Sequence, residues 1–278
     1  MDQTLQPQLI LNPLFEKAKT VDEFEFCCAI LRIRGIEGPY RDPFRESYEL
    51  TQQLLGLIQA PIDGGLQIRL ILFLYCHLTE NDDIYNVVAN LLLITTGKRC
   101  HITPFAALPK PSKKHPPGYR RSPRIDQQIT LANDCGFQEV GSLFDEFFVR
   151  PVRNAFYHSD YILSPDSFNI KRGEGVNIKN NIIESSIPLE WLVPRLELGI
   201  NAALALVELL FEHISSYRED KVVRGRIAPN GSWVDVQLTT KPGYGLTGFK
   251  SPPDAGLRGV PAGLPNSPTT QDPQGNSK

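Results

Sequence analysis

The sequence predicts a mainly α fold: a helical bundle with one or two inserted β-hairpins and a disordered C-terminal tail. Three observations lead there. Apolar residues recur at the spacing of one helical face through most of residues 1–217. Two later stretches, within 161–183 and 218–250, alternate apolar and polar residues around turn formers. From Ser251 onward no aromatic residue remains, and Pro and Gly fill ten of 28 positions, so this part has too little apolar surface to fold. The expected organisation is a helical domain over 1–217 with a basic loop at 98–123 and a hairpin at 161–183. A β-hairpin appendage over 218–250 and the Pro/Gly-rich tail 251–278 follow.

The helices are justified in order. Thr20-Val21-Asp22-Glu23 reads as a capping box, with Thr20 as the cap and Glu23 three residues on. Phe24, Cys27, Cys28 and Leu31 then mark one face. Asp42-Pro43 opens a second helix with proline in its first turn; it runs through Leu54, Leu55 and Ile58 and stops before Pro61. Residues Leu66 to Leu78 are nearly all apolar, which predicts a central helix. Asn81 caps a fourth, and Gly97 ends it. Ser122-Pro123 starts a short helix that stops at Gly136. Val140, Leu143, Phe144, Phe147 and Phe148 mark the next, which Pro151 interrupts. Tyr161-Ile162-Leu163 and Phe168-Asn169-Ile170 flank a Ser-Pro-Asp-Ser turn, and 176–183 adds strand signal. Pro188 starts a long helix to about Tyr217. Val234, Val236 and Leu238 alternate beyond the turn Pro229-Asn230-Gly231.

Composition narrows the function classes. Of 278 residues, 41% are hydrophobic and 22% charged, as in an ordinary soluble protein. A formal net charge of −2 argues against a basic coat for wrapping nucleic acid but allows a local basic site. The N-terminus lacks the basic and apolar regions of a signal peptide. No apolar run reads as transmembrane; Gly199 to Phe211 comes nearest, and Asn201 and Glu208 interrupt it. A cytoplasmic protein with no membrane partner is expected. The five cysteines are odd in number and show no CxxC spacing, which disfavours a disulfide framework. Cys76-His77 and Cys100-His101 look like metal ligands, but helical neighbours point about 100° apart and rarely share an ion. No metal and no cofactor is expected, and the thiols read as buried apolar residues. Gly173-Glu174-Gly175 and Pro242-Gly243-Tyr244-Gly245 read as turns.

Two segments carry candidate chemistry. From Lys110 to Arg124 there are six Lys or Arg, one His, four Pro and no acid. Lys113, Lys114, Arg120, Arg121 and Arg124 could contact phosphates, and Tyr119 could stack on a base; a solvated loop is the plain alternative. The second segment is Arg153-Asn154-Ala155-Phe156-Tyr157-His158. An imidazole moves protons near neutral pH, and a guanidinium grips phosphate in a fork. On a helical wheel Val152, Ala155 and Phe156 cluster on one side. Asn154 and His158, four apart, share another face, with Arg153 beside them.

This run resembles the signature of the HEPN superfamily: an Arg followed by a polar residue, with a His four to six residues later. The resemblance covers roughly 13–217, from the preceding helical bundle through the hairpin after Ser159-Asp160-Tyr161 to the end of the long helix. It implies a HEPN-like bundle similar to bacterial HEPN-like proteins, some in a toxin or defence setting. It also implies a homodimer in which the Arg and His of two subunits form a composite ribonuclease site. By that resemblance His158 is the general acid or base, Arg153 stabilises charge on phosphorus and Asn154 orients either partner or the phosphate, with no divalent metal. The partner would be RNA, since the attacking group is a ribose 2′-hydroxyl. Other members of the superfamily keep the fold without catalysis. A non-catalytic scaffold, or a regulatory module binding a protein partner through the long helix, therefore stays open. The two readings differ at His158: an enzyme needs it exposed, a scaffold needs it buried and bonded within one chain.

Overall fold

A computed structural model describes residues 6–32, 43–109, 119–179, 182–226 and 232–250. Lys113 and Lys114, the turn 229–231 and the tail 251–278 lie outside the described residues. The fold is mainly helical, with small antiparallel sheets. Its helices are α1 (Pro7–Val21), α2 (Glu23–Ile30), α3 (Pro43–Ile58), α4 (Gly64–Thr79), α5 (Asp82–Thr95), α6 (Pro123–Asp134), α7 (Gln138–Phe147), α8 (Arg150–Tyr157) and α9 (Leu189–Ser216). The strands are β1 (Tyr161–Leu163), β2 (Ser167–Ile170), β3 (Val176–Lys179), β4 (Ile182–Glu184), β5 (Ser186–Pro188), β6 (Lys221–Gly225), β7 (Val234–Lys241) and β8 (Gly245–Lys250).

α1 is a helix the sequence pattern did not announce, because Pro7 opens it and Pro13 interrupts its backbone ladder. Pro13 is tolerated because it sits on the solvent side, where water satisfies the carbonyl it frees. The opposite face buries Leu11, Leu14, Phe15 and Ala18 against α5 and α9. The cap expected at Thr20 moves two residues. Thr20 still belongs to α1 and donates its hydroxyl to the Glu16 carbonyl. Asp22 is the residue between the helices, and its carboxylate accepts from the Glu25 amide at 3.0 Å.

The centre of the bundle is α9 rather than the 66–78 helix. α4 leaves Leu66 and Phe73 exposed, whereas α9 packs on α1, α4 and α7 along its length. By length and composition α9 is also apolar enough to cross a membrane, despite Asn201 and Glu208; here 61% of its most apolar window is buried in the core. Close approach at the centre depends on Gly199. A Cβ there would come within 3.0 Å of the Tyr75 ring and 3.1 Å of Phe147. Gly97 and Gly136 end α5 and α6 with φ of 77° and 80°, the left-handed conformation expected of helix-ending glycines.

Cys27 and Cys76 are buried and Cys28, Cys100 and Cys135 half-buried. Cys27 and Cys135 also donate through sulfur to the Tyr217 hydroxyl and the Leu92 carbonyl, and burial pushes the thiols of Cys27, Cys76 and Cys100 up to about 12. All five cysteines are free. His213, on α9, stacks on Phe15 at 5.1 Å and meets Phe26 edge-on at 5.2 Å; burial lowers its pKa.

Two sheets differ from the expected hairpins. β1, β2 and β5 form a three-stranded antiparallel sheet, in the order β1-β2-β5, and β3–β4 is a separate hairpin between β2 and β5. The segment 218–250 forms a three-stranded meander, β6-β7-β8, closed by the turn at Gly243. Val236 and Leu238 point inward and Asp235 and Gln237 outward, as the alternation predicts. Val223, Leu246 and a Phe24–Phe249 edge contact at 5.1 Å join this sheet to the helical core.

Candidate functional site

The Arg-Asn-His run lies on α8, whose start is built by one buried tyrosine. α7 ends at Phe147, and Pro151 has no N–H to bond the Phe147 carbonyl four residues back. The Tyr75 hydroxyl takes that place, donating to the Phe147 carbonyl at 3.0 Å and accepting from the Val149 amide at 2.8 Å. The Arg150 amide donates to the Arg120 carbonyl at 2.7 Å, which ties the end of the basic loop to the start of α8.

The end of α8 is equally specified. α8 stops at Tyr157 and His158 is its C-cap, so the histidine closes the helix that carries Arg153 and Asn154. The Ser159 amide donates to Phe156, and the Asp160 amide to Ala155 at 2.9 Å, the paired bonds of a Schellman closure. Ser159 adopts φ 55° to make it, a conformation that costs an L-residue about 1–2 kcal/mol. An aromatic ladder then fastens α8 to the sheet, with Phe156 on Tyr161 at 5.4 Å and Tyr161 on Phe168 at 4.8 Å. Ser159→Gly is expected to raise stability by about 0.5–1 kcal/mol, since glycine removes the strain but adds unfolded-state entropy. That corresponds to roughly 2 °C in thermal midpoint. An unchanged or lowered midpoint in a melting curve would show that Ser159 carries no strain.

The wheel reading of α8 holds in space. Val152 and Ala155 are buried, Phe156 is half-buried, and Asn154, Tyr157 and His158 are exposed. Among the described residues the His158 ring makes no hydrogen bond or ion pair. It lines a cleft of about 430 Å³ together with Asn154. Arg153 does not line that cleft. It is ion-paired to Glu80, the residue capping the end of α4, and its Nη2 donates to Asn154 Oδ1 at 2.8 Å. Arg153 thus reaches the cleft through Asn154.

The cleft holds four charged side chains that the motif did not flag: Arg150, Asp160, Arg172 and Glu174. Arg150 Nη2 lies 3.4 Å from Glu174 Oε2, and Arg172 Nε lies 3.9 Å from Asp160 Oδ1. Arg150 sits one residue before the helix-breaking Pro151. Arg172 and Glu174 flank Gly173 in a turn that the sequence marked only as a turn. Their proximity to His158 comes from the sheet folding back, with the Lys171 amide donating to the Asp160 carbonyl at 2.8 Å.

The described part of the basic loop is internally matched. Arg120 Nη2 and Arg121 Nη1 lie 3.2 and 3.0 Å from Asp145 Oδ1. Arg121 also pairs with Asp126 at 2.9 Å, and Arg124 pairs with Asp82. The Tyr119 hydroxyl accepts from Arg121 and donates to Asp126, while the Arg121 guanidinium lies 5.0 Å from the ring centroid. Among the described residues, the charges of Arg120, Arg121 and Arg124 are therefore offset by carboxylates from α5, α6 and α7. Of the Cys-His pairs, His77 bonds Ser47 Oγ at 2.8 Å while Cys76 points into the core. The His101 backbone is held by two bonds to Asn90. Among the described residues no group of three His, Cys, Asp or Glu side chains is placed to hold a metal ion.

Comparison with family models, curated proteins and solved structures finds no match to this chain.

Proposed function

We propose that this chain is an intracellular HEPN-like protein that cleaves RNA without a metal, with His158 as the proton-transfer group. The observation that carries the reading is the state of His158. It is exposed, unbonded among the described residues, and set in a polar cleft beside Asn154. A scaffold role would have buried that ring and used its nitrogens. In the proposed reaction neutral His158 takes the proton of a ribose 2′-hydroxyl. The 2′-oxygen bonds to phosphorus, the bond from phosphorus to the 5′-oxygen breaks, and the 5′-oxygen leaves with a proton. The ends are a 2′,3′-cyclic phosphate and a 5′-hydroxyl. Arg153 serves this site by fixing Asn154, and a second copy of the chain supplies the second His158 as the acid that protonates the leaving oxygen.

One observation favours the second reading, a non-catalytic HEPN-like scaffold or regulatory module. Arg153 is held by Glu80, so its charge is already matched within the chain. Incubating RNA with the protein in excess chelator separates the two. Wild type is expected to cleave, and His158→Ala to lose roughly 10²–10⁴-fold in rate, the usual share of an acid–base group. Arg153→Ala is expected to lose less than His158→Ala, because Asn154 remains. Intact RNA across varied sequences leaves the scaffold reading standing, and undiminished cleavage by His158→Ala removes His158 from the reaction.

A further inference from the structure

We infer that Arg150 and Arg172 form the phosphate-binding subsite of the His158 cleft, and that Glu174 and Asp160 occupy it as exchangeable stand-ins for an RNA phosphate. The inference rests on the RNA reading for the identity of the ligand. Its basis is the geometry of the cleft itself. The arginine of the sequence motif, Arg153, is turned away toward Glu80, so the guanidinium groups sharing a cavity with His158 are Arg150 and Arg172. They reach it from two separate elements, Arg150 from the first turn of α8 and Arg172 from the turn between β2 and β3. The cleft volume of about 430 Å³ is that of a small-molecule pocket and accommodates a nucleotide unit.

Each guanidinium is held loosely. Arg150–Glu174 is 3.4 Å and Arg172–Asp160 is 3.9 Å, beyond the 2.7–2.9 Å of a strong charged hydrogen bond. The carboxylates sit near solvent, with Glu174 59% exposed, so such pairs hold a side chain in place without binding it tightly. A phosphodiester offers two non-bridging oxygens that the planar guanidinium fork grips together. Exchanging Glu174 for phosphate on Arg150 places that phosphate in the same cavity as the imidazole that acts on its neighbouring ribose.

The test uses the full chain and a 2′-O-methyl oligoribonucleotide, which lacks the attacking hydroxyl and reports binding alone. Fluorescence anisotropy across a salt series and the His158 imidazole resonance are the readouts. Arg150→Gln is expected to weaken binding about tenfold and to make the slope of log K against log salt shallower by about 0.7, one single-strand phosphate contact. Arg172→Gln, at a side chain 85% exposed and held only by the 3.9 Å pair to Asp160 among the ion pairs described, is expected to weaken binding about threefold. Glu174→Gln is expected to tighten it several-fold, the opposite of what loss of a structural pair would do. The oligonucleotide is expected to move the His158 resonance in the wild type. Wild-type affinity and slope in both arginine variants, weaker binding by Glu174→Gln, or no binding by the wild type overturns the inference. If binding follows Arg150 while unmodified RNA stays intact, the subsite stands and the cleavage proposal falls. If cleavage needs His158 while binding ignores Arg150, the reverse holds.

Discussion

Glu25→Ala is expected to lower stability by about 3 kcal/mol, on the order of 10 °C in thermal midpoint. Glu25 is only 2% exposed, yet it is a carboxylate. Its Oε1 lies 2.8 Å from Arg99 Nε, and its Oε2 accepts from the Cys100 amide at 2.8 Å. Arg99 in turn donates to the Arg226 carbonyl. One buried carboxylate therefore joins α2, the segment after α5 and the end of β6, three places distant in sequence. Truncating one partner of a desolvated pair typically costs about 3–5 kcal/mol, because the remaining groups stay out of water without a counterpart. The lower end applies because the Arg99 side chain keeps 24% exposure and recovers some hydration. Glu25→Gln, which keeps an acceptor for the Cys100 amide, is expected to lose about half as much. Chemical denaturation measures both, and a loss below about 1 kcal/mol for alanine would show that the pair is well solvated.

Tyr75→Phe is expected to cost about 2–3 kcal/mol while leaving the packing volume almost unchanged. The ring is fully buried, and the substitution removes only the hydroxyl. That atom bonds both the Phe147 carbonyl and the Val149 amide, so two buried backbone groups lose their partner at once. Burial also pushes the Tyr75 hydroxyl well above its usual range, so it remains a neutral donor throughout the working pH range. The damage is local to the start of α8, where Arg150 leads into the cleft. Amide hydrogen exchange at Val149 is expected to accelerate more than at α9 core amides. Equal acceleration at both would mean that Tyr75 supports the whole bundle rather than this junction. A midpoint unchanged within error would mean that water replaces the hydroxyl.

These two residues show what a sequence pattern misses. The expected cap at Thr20-x-x-Glu23 and the observed one at Asp22-x-x-Glu25 have the same chemistry two residues apart. Pattern alone could not choose, because the choice depends on where α1 ends, and Pro13 hid α1. Glu25, three residues after the observed cap, carried no signal of its own in the sequence; in space its carboxylate turns to Arg99. Tyr75 lay in an apolar run and read as core. Its polar duty exists because Pro151, 76 positions later, orphans a carbonyl that folding brings to its hydroxyl.

The same division runs through the candidate site. Helical period placed Val152, Ala155 and Phe156 inward and Asn154 and His158 outward, and the structure agrees, because residues on one short helix keep fixed angular relations whatever surrounds them. Which charges share the cleft with His158 was a tertiary decision. Arg153 neighbours Asn154 in sequence yet is drawn to Glu80 on α4, while Arg172 and Glu174 enter from a turn that looked featureless. The basic loop repeats the lesson: Arg120, Arg121 and Arg124 count as free charge until Asp145, Asp126 and Asp82 arrive beside them. By itself the sequence determined the helical character, most element boundaries and the outward face of α8, since these follow from local periodicity, caps and proline geometry. Only the tertiary structure decided which helix is central, which charges are neutralised and what surrounds His158. Coulombic and hydrogen-bond partners are chosen by distance in space, which the order of residues along the chain does not encode locally.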